Sequence, residues 1–190
     1  MFSLSGGVTR WVAIVALGLV GCDATEGDDG QRPSGSPQPL VAHDAWVEVG
    51  AAEDPFSDRY PVVDCKPGGF LVEGDALEVN TLICNYLTAR QPSRVDIRAG
   101  DTVNIVAWHL VLVDDVGTSS SSAHIAVRVA DETVWQRTVA IPSREAVYES
   151  DWIPDRDIPA GTDIYFHIHN HGFNSWKLGR LMVTPTGDGD

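Results

Sequence analysis

An all-β domain, an antiparallel β-sandwich of jelly-roll-like form with about eight strands, is what this sequence predicts. No window longer than about ten residues keeps a 3.6-residue apolar period, which argues against helices. Period-two alternation and β-branched runs recur instead, roughly every ten to twelve residues, with Gly, Pro, Asn and Asp gathered between them. The expected strands are Ala45 to Val49, Ala76 to Leu87, Arg94 to Arg98, Thr102 to Val113, Ala123 to Val129, Val134 to Ile141, Asp163 to Asn170 and Ser175 to Val183.

The separators carry turn chemistry: Cys65-Lys66-Pro67-Gly68-Gly69, Ala99-Gly100-Asp101, Asp114 to Ser122, Ile158-Pro159-Ala160-Gly161 and Asn170-His171-Gly172. Ala99-Gly100-Asp101-Thr102-Val103-Asn104-Ile105 lines up with Ala160-Gly161-Thr162-Asp163-Ile164-Tyr165-Phe166, so one type of glycine turn launches two core strands. Alternation then assigns faces. Val103, Ile105 and Ala107, Ile125, Val127 and Val129, and Ile164, Phe166 and Ile168 point inward. Asn104 and Trp108, His124 and Arg128, and Tyr165, His167 and His169 point outward, and would gather on one face if the three strands share a sheet.

Composition bounds the function. The chain has 190 residues, 43% hydrophobic and 21% charged, which excludes a disordered chain, a collagen-like fibre and a polytopic membrane protein. Lys plus Arg is 13 against Asp plus Glu 27, for a net charge of −14, so the electrostatic footprint of a nucleic-acid partner is missing.

The N-terminus reads as an export signal. Arg10 precedes an apolar run from Trp11 to Val20, about half the length that spans a bilayer. Leu19-Val20-Gly21-Cys22 resembles the lipobox of bacterial lipoproteins. The resemblance implies cleavage before Cys22, a thioether-linked diacylglycerol on its sulfur and an acyl group on the new amine. Several chains give stable anchoring where one gives only marginal binding. The expected organisation is a signal peptide over 1–21, a tether rich in Asp, Gly, Ser and Pro over 22–40, a sandwich over 41–186 and a disordered tail over 187–190. The expected location is the bacterial cell envelope, lipid-anchored to a membrane and facing the periplasm or exterior. Cys65 and Cys84 remain as an even pair in an oxidising compartment, where a disulfide is expected.

Three of the six histidines fall in Phe166-His167-Ile168-His169-Asn170-His171-Gly172. On a strand, His167 and His169 lie roughly 6.6 Å apart on one face, near enough to reach one ion at about 2.1 Å. His124, His109 and His171 are the candidates for a third ligand. Three imidazoles with open positions suit zinc, copper, nickel or non-haem iron. Gly161 followed by five residues and His167-Ile168-His169 resembles the opening half of the first cupin motif, which implies a metal role for His167 and His169. Phe173 and Asn174 stand where that motif requires glutamate, so the full cupin ligand set is absent. The A-G-D-T-V strand entry with early and late histidines is similar to cupredoxins, but the cysteine of a blue-copper site is missing near His171.

Trp108, Tyr165, Asn170, Asn174 and Trp176 form a second candidate group, an aromatic platform flanked by amides of the kind that binds sugars by stacking and polar contacts. No nucleophile elbow, phosphate loop, H-E-x-x-H or dinucleotide fingerprint occurs, and no catalytic residue is assigned. The reading is therefore an exported, lipid-anchored sandwich that binds a carbohydrate or an envelope protein without catalysis. The alternative is a transition-metal protein or small metalloenzyme built on His167 and His169.

Overall fold

A computed structural model describes residues 35–57, 65–114 and 121–186. The expected export signal, Cys22, most of the expected tether and the expected tail over 187–190 lie outside the described residues. Thirteen strands are present among those described: β1 (Gln38–Pro39), β2 (Val47–Glu48), β3 (Phe70–Glu73), β4 (Ala76–Asn80), β5 (Tyr86–Pro92), β6 (Thr102–His109), β7 (Val113–Asp114), β8 (Ser121–Val129), β9 (Glu132–Ile141), β10 (Ala146–Trp152), β11 (Asp163–Asn170), β12 (Gly172–Phe173) and β13 (Ser175–Thr184).

Eleven of them form two antiparallel sheets, while β7 and β12 pair with each other as a separate two-stranded ribbon. The first runs β10-β6-β13-β4-β3, with β1 also paired to β13, and the second runs β2-β5-β11-β8-β9. Their inner faces close one core. Val103, Ile105, Ala107, Leu178, Leu181 and Val183 from the first sheet pack with Leu87, Ala89, Ile125, Val127, Ile164, Phe166 and Ile168 from the second. Strand side chains alternate, so a two-layer sandwich needs only every second residue to be apolar, which is the pattern the sequence carries. All nine residues assigned inward by alternation are buried. Gly100 and Gly161, the two aligned strand entries, adopt the same left-handed conformation, with φ of 86° and 87°.

Several elements differ from expectation. Ala76 to Leu87 is two strands in different sheets. At Thr81–Asn85 the chain turns, with the Leu82 amide donating to Asn80 Oδ1 (3.1 Å) and the Cys84 amide to the Asn80 carbonyl (3.0 Å). Thr102 to Val113 ends as a long strand at His109. Arg94 to Arg98 is no strand: Ile97 makes one isolated bridge to Ile158, while the Arg98 amide is taken by the Asp101 carboxylate (2.8 Å). Strands β3 and β10 were not foreseen. In β10 the inward positions include Ala146 and Ser150, too weakly apolar for the alternation to stand out. The sheet also begins before residue 41, because Gln38–Pro39 pairs with Val183–Met182 and Leu40 is fully buried. Cys65 and Cys84 form a disulfide with Cα atoms 4.3 Å apart.

Candidate functional site

The three strands whose outward residues would gather on one face if they shared a sheet lie in two different sheets. β6 belongs to the first sheet, and β8 and β11 are neighbours in the second. Asn104 and Trp108 are thus separated from His124, Arg128, Tyr165, His167 and His169 by the whole thickness of the sandwich. The alternation was right for each strand, but nothing local to β6 says which sheet it joins.

On the outer face of the second sheet, register places His169 between His124 and Tyr86, and His167 between Ala126 and Thr88. The segment over 49–57 folds across this face and buries it. Phe56 stacks on His167 with ring centroids 4.3 Å apart, and Tyr86 meets the same imidazole edge-on at 5.0 Å. His167 is 0% exposed, His124 5% and His169 8%.

Asp54 organises this face. Its carboxylate accepts from the Tyr86 hydroxyl (2.8 Å), the Thr88 hydroxyl (2.9 Å) and the Phe56 amide (2.8 Å). Thr88 has one hydroxyl hydrogen and gives it to Asp54, so its oxygen accepts from His167 Nδ1 at 2.8 Å, which assigns the Nδ1–H form to that ring. His124 Nε2 meets Gln136 Oε1 at 3.2 Å. The rings of His124 and His167 are 5.4 Å apart, and those of His169 and His171 are 4.3 Å apart. Burial, with His171 and His124 nearby, lowers the His169 pKa from 6.5 to about 4.

His124, His167, His169 and His171 are therefore brought together, and His109 is not. His109 points into the core from the first sheet, against the Trp176 ring at 4.4 Å, with Nε2 3.1 Å from the Tyr148 hydroxyl. Among the described residues, no group of three or more His, Cys, Asp or Glu side chains has an arrangement that could hold a metal ion. Sequence reasoning missed Asp54, Phe56 and Thr88. The only local hint is an acid and an aromatic flanking Pro55 in a turn-rich stretch.

The sugar-platform residues also separate. Trp176 is fully buried, and its indole N–H donates to Asn170 Oδ1 (3.1 Å), so both are core groups. Asn174, at φ of 120°, donates from its amide to the Val111 carbonyl (2.8 Å) and shapes a turn. Tyr165 lies on the outer face of the second sheet between Arg128 and Arg90. Of the five, Trp108 alone stands on the outer face of the first sheet.

That face is laid out in rows. Trp108 stands between Val147 of β10 and Lys177 of β13, Val106 between Glu149 and Arg180, and Asn104 between Asp151 and Met182. A bulge between Leu178 and Arg180 inserts Gly179. Across that glycine lies the six-membered ring of Trp108: a Cβ added at residue 179 would stand 2.6 Å from Trp108 Cη2. Asn104 Nδ2 donates to Glu149 Oε1 (3.2 Å) and Asp151 Oδ1 (2.8 Å), and Arg180 donates to Asn104 Oδ1 (3.3 Å). Lys177 is paired to Glu73 and Glu78, and the Glu73 carboxylate holds its pKa above the usual lysine value. Two clefts open here and meet at Arg180. One, of about 460 Å³, is lined by residues including Asn104, Glu149, Asp151 and Met182, and the other, of about 280 Å³, by Glu73, Asp75, Val106, Trp108 and Gly179.

No family model matches the chain, and no curated protein matches it. Solved structures that it is similar to include a CBM4 structure, with TM-score 0.41 and 12% identity over 80% of this chain and 95% of that one. A second is TmCBM61 in complex with β-1,4-galactotriose, with TM-score 0.38 and 11% identity over 77% and 97% of the two chains. A third is a family 11 carbohydrate-binding module from Clostridium thermocellum in complex with a β-1,3-1,4-mixed-linked tetrasaccharide, with TM-score 0.31 and 11% identity over 58% and 76%.

Proposed function

We propose that this chain is an exported lipoprotein of the bacterial cell envelope, anchored through Cys22, that binds a carbohydrate non-covalently on the outer face of its first sheet and performs no chemistry on it. The observation that carries this reading is the Trp108 ring lying over Gly179 inside a face that alternates apolar and hydrogen-bonding groups. A pyranose presents C–H groups on one side and hydroxyls at its rim. The indole, Val106, Val147 and Met182 suit the first, and Asn104, Glu149, Asp151 and Arg180 suit the second. Val147 is 71% exposed beside Trp108, which extends the apolar part of the face. The second sheet offers less, because Phe56 and the segment carrying it already cover its histidines.

Affinity gel electrophoresis against a panel of soluble polysaccharides tests the proposal. At least one polysaccharide should retard the wild-type chain, and Trp108→Ala should abolish the retardation, since losing a stacked ring typically costs on the order of 1–3 kcal/mol. No retardation by any polysaccharide, or retardation that Trp108→Ala and Asn104→Ala leave intact, overturns it.

A further inference from the structure

We propose that His43 is a positioning residue for the carbohydrate site: its neutral imidazole holds the Gly179 carbonyl where the Trp108 ring is seated, and protonation of His43 loosens that seat and weakens binding. The inference rests on the carbohydrate reading and adds how the site is kept in shape and regulated.

Its ground is a gap in the first sheet. β6 lines one side of β13 along its length apart from the bulge, but the other side of β13 changes partners. Ser175–Leu178 pairs with β4, and Met182–Val183 pairs with β1, beside which the Leu40 amide donates to the Leu181 carbonyl (2.9 Å). Gly179 falls between these partners, and no strand among the described residues pairs with it. His43, three residues after Leu40, meets the Gly179 backbone instead. The contact favours the charged ring, as an accepting carbonyl does and a donating N–H does not. His43 Nδ1 is buried with no hydrogen-bond partner, so the ring faces that carbonyl through Nε2–H.

The imidazole is itself placed from the second sheet. The Ala42 amide donates to Gln91 Oε1 (2.9 Å), and Gln91 Nε2 donates to the Ala42 carbonyl (3.0 Å). Buried Gln91 of β5 thus holds residue 42, His43 holds Gly179, and Trp108 lies across Gly179. A bulged glycine has no side chain to pin it, so an outside donor decides where its peptide sits. Gly179 and Trp108 then line the smaller cleft together with Asp75.

Nδ1 makes the hold sensitive to acid. A proton there needs an acceptor, and a buried N–H left without one costs free energy. Burial lowers the His43 pKa from its ordinary 6.5, outweighing the Gly179 backbone, Asp75 and Asp44, which favour the charge. The other charged groups on the neighbouring strands are engaged, Lys177 with Glu73 and Glu78, and Arg180 with Glu149. The seated imidazole is therefore neutral at about pH 7, and acid favours the ring out of its seat. Of the other histidines, His124, His167, His169 and His171 gather on the second sheet and His109 points into the core, so His43 alone faces the bulge.

The test has two readouts on the full chain, followed from about pH 7.5 to about pH 5. The first needs no ligand. The Trp108 indole N–H resonance, identified by its loss in Trp108→Phe, should shift with a single titration in the wild type and stay in place in His43→Gln, which keeps an N–H donor and does not titrate. The second is affinity for the panel polysaccharide that most retards the wild type. Acidification should weaken wild-type binding about fivefold, and His43→Ala should lose about fivefold already at the upper pH, the effect of one hydrogen bond. His43→Gln should recover affinity to within about twofold of wild type and flatten the pH profile. A Trp108 resonance that is silent to pH, or that titrates equally in His43→Gln, overturns the inference, and so does wild-type affinity in His43→Ala. A resonance that titrates as expected in a chain that no polysaccharide retards removes the carbohydrate reading, and with it the role of His43 in binding.

Discussion

Trp108 lies across Gly179, and the closeness of ring to backbone leaves no room for a Cβ at that position. Gly179 is the inserted residue of the β13 bulge, so backbone irregularity on one strand makes the seat for an aromatic ring on the next. Gly179→Ala should lift or rotate the indole. We expect an affinity loss of about tenfold for any carbohydrate bound on this face, with the melting temperature changed little, because the displaced ring sits at the surface. Undiminished affinity in this variant would show that the ring's position is irrelevant to binding.

Asp54 ties the 49–57 segment to the second sheet through the two buried hydroxyls of Tyr86 and Thr88, and also accepts from the Phe56 amide of its own segment. Asp54→Ala removes the acceptor for both Tyr86 and Thr88, and through Thr88 it disturbs His167. A loss of roughly 2–4 kcal/mol in urea unfolding is expected, the cost of stranding buried polar groups, with Asp54→Asn falling between. Hydrogen exchange should rise first in the Val49 amide, which donates to the Thr88 carbonyl.

His169 gives the fold an acid-sensitive component. Its folded pKa is about 4, against 6.5 ordinarily. Between those values the unfolded chain binds a proton that the folded chain refuses, so stability is complete above about pH 6.5 and declines as pH falls toward 4, with a slope of at most on the order of 1 kcal/mol per pH unit. Denaturation curves at a series of pH values across this interval should show the decline reduced in His169→Gln. An equally steep decline in the variant would assign the sensitivity to other groups.

The Cys65–Cys84 bridge closes a segment with a sequence separation of 19 that ends at the start of β5. In the chain-entropy model a loop of this size contributes about 3 kcal/mol. Reduction, or serine at both positions, should lower the unfolding midpoint in urea accordingly while leaving the sheet signature in circular dichroism. No change in midpoint on reduction would mean that the bridge contributes nothing to stability.

The anchor has its own test. Metabolic labelling with a radioactive fatty acid should mark the wild-type chain and not Cys22→Ser, and the variant should leave the membrane fraction. Label absent from the wild type, with the variant still sedimenting alongside membranes, would remove the lipoprotein reading.

Within each long strand, alternation alone fixed which residues face the core. The aligned entries at Gly100 and Gly161, the inward triplets of β6, β8 and β11, and the pairing of Cys65 with Cys84 were all legible, because a turn residue, a two-residue period and an even cysteine count are local or arithmetic facts. Partnership between strands was not. Val103, Ile105 and Ala107 would look the same in either sheet, and only tertiary pairing sent Trp108 to one side of the sandwich and His167 to the other. The same decision brought Asp54 over Thr88 from 34 residues away. A strand's own residues record that one side is buried, but which distant strand supplies the hydrogen bonds, and what then lies across its outer face, is set by contacts that no stretch of sequence contains.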